Sequence, residues 1–216
     1  IEWKTRYAKD ITGKSYPFDL YVRKVKATHV LKPGRILNIA FVAQFEKEVY
    51  ELTTPTAGKI ISLAKKNYKR FYDMTEDSLF VLNVPHIYSW SSACSYHGYG
   101  LADIALTQWR ECFYKKYGYI VDNPNVGKEM SATWKWGARK DFKTSVTLAT
   151  GKKLSSAALV KEVMLSPEQT IARAKRRLAK QNQILQVKTP VNLNARIRLV
   201  HGTQEIARNT KSFELM

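Results

Sequence analysis

The N-terminal part of the chain contains two runs rich in Val, Ile, Tyr and Phe, which are residues that favour strands. Residues 18–31 predict one strand, and residues 35–52 predict a second, longer strand. Pro33 and Gly34 lie between the two runs and indicate a turn. The sequence therefore predicts that the chain begins with a β-hairpin.

Three other segments repeat apolar residues at the three- and four-residue spacing of a helix. The first covers 55–73 and opens with Thr54 as a cap and Pro55 in the first turn. The second covers about 101–117, and the third covers about 166–182. The sequence predicts a helix in each of these segments.

The remaining apolar runs are short and are separated by turn-forming residues, a pattern that indicates strands. Strands are predicted at 79–90, 119–121, 131–136, 142–150, 184–187, 191–200 and 205–207. Residues 157–165 fit a helix or a strand equally well. The pattern therefore predicts an α+β fold, a single domain over residues 1–216 with a mainly antiparallel sheet and about three helices. A lobe boundary near 122–130 is the alternative to an undivided domain.

The charge of the chain adds an expectation about its partner. Lys and Arg number 36 and Asp and Glu number 18, which gives a formal net charge of +18. The excess is concentrated in residues 128–198, which contain 16 Lys or Arg and 4 Asp or Glu. A domain this basic repels itself, and a phosphate backbone, an anionic lipid surface or an acidic protein is the usual counterpart.

The predicted helix 166–182, which opens with Ser166 and Gln169 in a capping-box pattern, carries the clearest basic pattern. Four cations fall on one side of it at helical spacing, namely Arg173, Arg176, Arg177 and Lys180. A helix with this spacing can follow the phosphates of a strand. The alternative is the solvated face of an ordinary surface helix, although such a face usually includes Glu and none follows Glu168 within this helix.

The predicted helix 55–73 repeats this pattern on its polar side with Lys65, Lys66, Lys69 and Arg70. Three of these four are lysines, which bind phosphate as point charges and do not read bases. A solvated helix face is again the alternative. We include the four residues among the candidate phosphate-binding positions.

Aromatic and cationic residues are interleaved at Trp134, Trp136, Arg139 and Lys140. On the predicted strand 131–136, both Trp side chains would share one face. Exposed rings would form a platform on which unpaired bases stack, whereas buried rings would belong to the core. We include these residues as candidate nucleic-acid contacts.

Four residues are of the types that bind zinc, namely His86, Cys94, His97 and Cys112. Their spacing matches no zinc pattern, and Cys112 lies on the apolar side of its predicted helix, so their convergence stays an open question. Neither G-x-x-x-x-G-K-[S/T] nor G-x-G-x-x-G occurs, which argues against nucleotide hydrolysis and dinucleotide binding. We expect no metal, no cofactor and no assigned catalytic residue.

These observations favour a non-catalytic protein that grips the phosphates of RNA or single-stranded DNA with a basic face. One alternative is a structural protein of a virus or mobile element, a matrix or coat subunit that self-assembles on a genome or an anionic membrane. A second is a small metal-independent nuclease that uses His97 or His201 as acid or base. No motif is specific enough to identify a family.

The sequence also carries expectations about location. No uncharged stretch approaches the roughly 18 residues needed to span a bilayer, and residues 1–14 mix charged with apolar positions, unlike a signal peptide. The two cysteines favour a reducing compartment. We therefore expect the cytoplasm, or a virion or other nucleoprotein particle, with homo-oligomerisation left open.

Overall fold

The computed structural model describes residues 1–75, 79–183, 191–192, 198–208 and 214–215. Within these residues most of the chain is helical. The α-helices are α1 (Glu2–Tyr7), α2 (Phe18–Thr28), α3 (Lys32–Tyr50), α4 (Ala57–Tyr72), α5 (Pro85–Tyr88), α6 (His97–Tyr117), α7 (Pro124–Trp134), α8 (Phe142–Thr150), α9 (Ala157–Val163) and α10 (Pro167–Gln183).

The strands of the described residues are short and follow α10. They are β1 (Val191–Asn192), β2 (Arg198–His201), β3 (Gln204–Arg208) and β4 (Glu214–Leu215). β1 pairs antiparallel with β4, and β2 pairs antiparallel with β3, as two separate two-stranded sheets. The prediction of an α+β fold with a mainly antiparallel sheet and about three helices is therefore wrong.

The segments predicted as an N-terminal hairpin form α2 and α3. In α3, Phe41, Val42 and Phe45 are completely buried, and this spacing places them on one side of a helix. Pro33 occupies the first turn of α3, where its missing N–H leaves no hydrogen bond unmade. The β-forming composition misled the prediction because burial of a helical face overrides a weak strand preference.

The runs 131–136 and 142–150, also predicted as strands, belong to α7 with the turn that follows it and to α8. Each helix is started by a side-chain cap. Asn123 Oδ1 accepts a hydrogen bond from the N–H of Asn125 at 3.1 Å, and Asp141 Oδ1 accepts one from the N–H of Thr144 at 3.0 Å. Such caps satisfy N–H groups that have no partner within the helix, so they favour helix over strand.

Two further segments that were predicted as strands are not strands, and the segment that fitted either a helix or a strand is a helix. Residues 79–90 contain a 3₁₀ turn and then α5, whose first residue is Pro85. Residues 119–121 form no strand. The ambiguous run 157–165 forms α9 over most of its length.

The three helices predicted from apolar spacing are present as α4, α6 and α10. The cap of α4 is Thr56 and not Thr54, since Thr56 Oγ1 accepts a hydrogen bond from the N–H of Lys59 at 3.3 Å. At the start of α10, Ser166 Oγ accepts from the N–H of Gln169 and Gln169 Oε1 accepts from the N–H of Ser166. This reciprocal pair is the capping box that the sequence indicated.

The β character predicted at the end of the chain is present in part. β1 and most of β2 lie in the predicted run 191–200, and β3 contains the whole of the predicted run 205–207. The turn between β2 and β3 contains Gly202 at a φ of 60°. Residues 184–187 and 193–197 lie outside the described residues.

Two groups of buried apolar side chains hold the helices together. The larger group joins α3 and α4 to the segment before α6 through Phe41, Val42, Phe45, Ala64, Tyr68, Val81 and Ile87. The smaller group joins α6 to α7 through Phe113, Val126 and Met130. α6 also packs against α3, α8 and α9, so it is the helix to which several others attach.

The chain divides into two compact units, residues 1–181 and residues 182–216. The first unit contains α1 to α9 and nearly all of α10, and the second contains the strands. None of the helices in the described residues combines the length and the apolar character that crossing a membrane requires.

Candidate functional site

A cleft of about 1320 Å³ lies between α6, α9 and α10, within the first unit. Two of its lining residues are acidic, Glu111 and Glu162. Nine are basic, namely Arg110, Lys115, Lys116, Lys152, Lys161, Arg173, Arg176, Arg177 and Lys180. We call this feature the basic cleft.

Carboxylates balance only part of the positive charge in the basic cleft. Lys161 Nζ lies 3.2 Å from Glu111 Oε1, and Lys116 Nζ lies 2.5 Å from Glu129 Oε1. Arg173 is also ion-paired. Among the described residues, no carboxylate lies within ion-pair distance of the other six cations, Arg110, Lys115, Lys152, Arg176, Arg177 and Lys180.

Arg173 and Glu162 form the ion pair between α10 and α9. Arg173 Nη2 lies 2.6 Å from Glu162 Oε1, and the two side chains are 23% and 36% exposed. Burial acts to raise the pKa of Glu162, but the hydrogen bond and the charge of Arg173 outweigh it, so this pKa lies below its usual value. Glu162 is therefore ionised at neutral pH and orients Arg173 within the cleft.

Arg177 lies against an aromatic ring. Its guanidinium carbon is 3.3 Å from the centroid of the Tyr114 ring, a cation–π contact between α10 and α6. Burial lowers the pKa of Arg177, and the positive charges of Arg173 and Arg110 lower it further. Burial also raises the pKa of the Tyr114 phenol. Burial and two neighbouring positive charges therefore both disfavour the charged form of Arg177.

Three contacts determine how α10 lies along α6 and the residues after it. Arg177 meets Tyr114. A Cβ added at Gly118 would lie 2.6 Å from Lys180 Cγ, so the lysine stem crosses the backbone closely there. Gln181 Nε2 donates a hydrogen bond to the carbonyl of Val121 at 3.3 Å. The contacts advance in the same direction along both segments, from Tyr114 to Val121 and from Arg177 to Gln181.

A buried glutamine of α6 holds one wall of the cleft in place. Gln108 is 7% exposed; its Oε1 accepts from the N–H of Ser155 at 2.9 Å, and its Nε2 donates to the carbonyl of Lys153 at 3.1 Å. These bonds attach the connection between α8 and α9 to α6. The position of Lys152 therefore depends on Gln108.

The structure brings together the four basic residues that the sequence assigned to the third helix. Arg173, Arg176, Arg177 and Lys180 all line the basic cleft. The solvated-face alternative described above fits only Arg176 and Lys180, which are exposed, whereas Arg173 and Arg177 are partly buried.

The sequence reasoning missed the cations that the rest of the cleft contributes. They are Arg110, Lys115, Lys116, Lys152 and Lys161. Their signal was weak because those on α6 are mixed with aromatic and apolar residues along the sequence. The sequence shows that Arg110 and Tyr114 are one helical turn apart, but it does not show which helix they would face.

The basic side of α4 does not join this site. α4 packs on α3, and in the part of the chain that the structure describes the cleft lining includes no α4 residue. Lys66 Nζ lies 3.6 Å from Glu48, and Lys69 Nζ lies 2.5 Å from Asp73. Lys65 and Arg70 are exposed on the same helix. The two predicted basic helices therefore do not form one surface through the cleft.

Trp134 and Trp136 are both exposed, with relative residue exposures of 64% and 38%. They lie at the end of α7 and in the following turn, so the strand alternation that would have placed both rings on one face does not apply. Lys135 Nζ and Lys140 Nζ lie 5.8 Å and 5.1 Å from the Trp136 ring. Together with the exposed Arg139, they form a second patch of mixed aromatic and cationic character.

The candidate zinc ligands occupy different surroundings. His86 Nε2 is 3.1 Å from the Tyr99 hydroxyl, Cys94 and His97 are exposed, and Cys112 lines the basic cleft. Across the residues that the structure describes, no three His, Cys, Asp or Glu side chains are grouped so that they could hold a metal ion. None of the four histidines of the chain is among the described residues that line the cleft.

Comparison of the chain with protein-family models, with curated proteins and with solved structures found no match.

Proposed function

We propose that this chain is a non-catalytic nucleic-acid-binding protein that holds the phosphates of RNA or single-stranded DNA in the basic cleft. The supporting observation is the collection of six cations without ion-pair partners among the described residues, brought into one concave surface from α6, α10 and the α8–α9 connection. A concave surface of one charge focuses its field and attracts anionic polymers.

The shape of the site favours a polymer over a membrane surface. A strand can enter a cleft and contact both of its walls, whereas a planar membrane meets mainly the rim. The lining cations here come from α6, α9, α10 and the α8–α9 connection, so they stand on more than one wall. Phosphates of a flexible strand can approach cations on both walls at once, which a flat array of headgroups cannot do.

The exposed rings of Trp134 and Trp136 support a partner with unpaired bases. Stacking on an aromatic ring needs a free base face, and duplexes hide their base faces within the stack. Cations beside Trp136 would meet the phosphates that flank a stacked base. RNA or single-stranded DNA is therefore the proposed class of ligand.

The first prediction tests this proposal by titrating labelled single-stranded RNA and DNA at several salt concentrations. The variant with Arg176→Gln and Lys180→Gln removes two exposed cations from the cleft. Each lost phosphate contact lowers the slope of log affinity against log salt by about 0.7 for single strands, so the double variant should lower it by roughly 1.4. Fluorescence anisotropy measures both the affinity and the slope.

The matched control is the variant with Lys65→Gln and Arg70→Gln, which removes the same net charge from α4. Its slope should stay within error of the wild-type slope because these positions do not line the cleft. Equal weakening by the two variants would show that net charge, and not the cleft, determines binding. Absence of salt-dependent binding by the wild type would reject the proposed function.

A further inference from the structure

Among the residues that the structure describes, Arg177 has no carboxylate of its own to balance its partly buried charge. Its guanidinium is partly buried and rests on Tyr114. The carboxylate of Glu162 acts on it, but that carboxylate is already hydrogen-bonded to Arg173 at 2.6 Å. Partial burial of a charge without its own partner costs free energy, so this site is ready to receive an anion.

A third guanidinium, that of Arg110, acts on the same site as Arg173 and Arg177. Tyr114 faces Arg177, and Gly118 faces Lys180 one turn later. Arg110 lies one turn before Tyr114 on α6, and Arg173 lies one turn before Arg177 on α10. Arg110 and Arg173 line the cleft, and both lower the pKa of Arg177 through their charge. Arg110, Arg173 and Arg177 thus converge, and we call them the arginine triad.

The charge around the arginine triad is unbalanced by more than one unit. Three guanidinium groups face one carboxylate, Glu162, so two positive charges remain. Lys32, which donates a hydrogen bond to Thr170 Oγ1 at 3.2 Å, adds positive charge near Glu162.

The carboxylate of Glu2, near Tyr114, is engaged by the chain itself. Glu2 Oε2 accepts hydrogen bonds from the N–H groups of Ile120 and Val121 at 2.9 Å, and its carboxylate also interacts with Tyr114. These contacts orient Glu2 toward the segment after α6. The negative charge of Glu2 and the positive charge of Lys32 cancel in the count, so the triad with Glu162 keeps a net of two positive charges. This charge matches a ligand group with two negative charges better than a group with one.

We infer that the arginine triad binds the terminal phosphate of a nucleic-acid strand. This inference rests on the proposed function. A terminal phosphate is a monoester with a charge of about −1.5 to −2 at neutral pH, whereas each internal phosphate carries a single charge. Its three free oxygens can accept paired hydrogen bonds from guanidinium groups on both walls of the cleft. An internal phosphodiester has fewer free oxygens, and the strand continues on both sides of it.

The second prediction compares one short single-stranded oligonucleotide with a 5′-phosphate, with a 3′-phosphate and with hydroxyls at both ends. The wild type should bind one phosphorylated form at least about tenfold more tightly than the unphosphorylated strand. Arg177→Met and Arg110→Met should each reduce that ratio to near one. Met retains an apolar stem against Tyr114, which favours folding of the Arg177 variant.

The matched control is Arg176→Met, the neighbouring cation of α10, which lies in the cleft and outside the triad. It should weaken both forms equally and keep the ratio. A wild-type ratio near one, or a ratio that survives both triad substitutions, would overturn the inference while leaving general strand binding intact. If none of the strands binds in a salt-dependent manner, the proposed function fails as well, so the two failures are distinguishable.

Discussion

Side chains that cross from one helix to another determine the local geometry of the basic cleft. The stem of Lys180 passes over Gly118, and the ring of Tyr114 supports the guanidinium of Arg177. Long cationic side chains cover apolar or backbone surface with their stems and keep their charged ends in solvent. At this scale the cations are placed by packing of their methylene groups as much as by charge.

The third prediction concerns Gly118, the residue after α6. Its φ is 80° and an added Cβ would lie 2.6 Å from Lys180 Cγ. Gly118→Ala should therefore lower the free energy of unfolding by about 1–2 kcal/mol, from left-handed backbone strain together with displacement of the lysine stem. Urea unfolding followed by circular dichroism measures the change.

A glycine within a helix provides the control for this substitution. Gly127 lies in α7 and an added Cβ meets nothing within 4 Å. Gly127→Ala should raise the free energy of unfolding by about 0.5–1 kcal/mol because Ala loses less backbone entropy in a helix. A neutral effect of Gly118→Ala would show that the backbone near Lys180 is not constrained as described.

Among the elements, α6 has the largest part in building the site. It packs against α3, α8 and α9, and it contributes one wall of the cleft. Its buried residues are Ala105, Gln108 and Phe113, so the polar side chain of Gln108 lies on the same buried side as two apolar side chains. That glutamine connects the helix to the chain that leads into α9.

The fourth prediction tests this connection through Gln108→Met, which keeps the length of the side chain and removes its polar atoms. The N–H of Ser155 and the carbonyl of Lys153 would lose their partners. The free energy of unfolding should fall by about 1–3 kcal/mol. Strand affinity should also fall because Lys152 would no longer be held at the wall of the cleft.

The same substitution at the exposed Gln183 is the control and should change the free energy of unfolding by no more than about 0.5 kcal/mol. The urea midpoints of the two variants, measured under the same conditions, give this comparison of stability. Similar small effects at both positions would mean that solvent replaces the Gln108 hydrogen bonds without cost.

For the whole molecule, the net charge of +18 is a source of self-repulsion. α4 reduces that repulsion locally, because Lys66 and Lys69 pair with Glu48 and Asp73. The basic cleft does not, because most of its cations lack such partners among the described residues. Concentrated charge of this kind lowers stability in the absence of an anion and is screened by salt.

The fifth prediction follows from this repulsion. Raising sodium chloride from about 50 mM to about 300 mM should increase the urea midpoint of unfolding, since added salt shortens the screening length and weakens the repulsion between the cations. The Arg176→Gln, Lys180→Gln variant should gain less than the wild type. The α4 pair Lys65→Gln, Arg70→Gln should gain nearly as much as the wild type. A decrease in the midpoint with salt would show that ion pairs outweigh the repulsion.

The sequence predicted some helices of the fold correctly and others wrongly. Spacing of apolar residues identified α4, α6 and α10, because each has a long amphipathic pattern and clear end signals such as Ser166 and Gln169. Composition failed for α2, α3, α7 and α8, where Val, Ile, Thr and aromatic residues lie on helical faces. Their helical state depends on burial against partners far away in the sequence, as for Phe41 and Tyr68.

The sequence by itself determined the amount of positive charge, its concentration in residues 128–198 and the basic side of α10, because charge and helical spacing are local properties. Only the tertiary structure decided which cations meet. It brought Arg110 into the same cleft as Arg173, paired Arg173 with Glu162, packed Arg177 on Tyr114 and kept the α4 lysines out of the cleft. Those arrangements depend on how helices distant in sequence pack, and no local pattern specifies that packing.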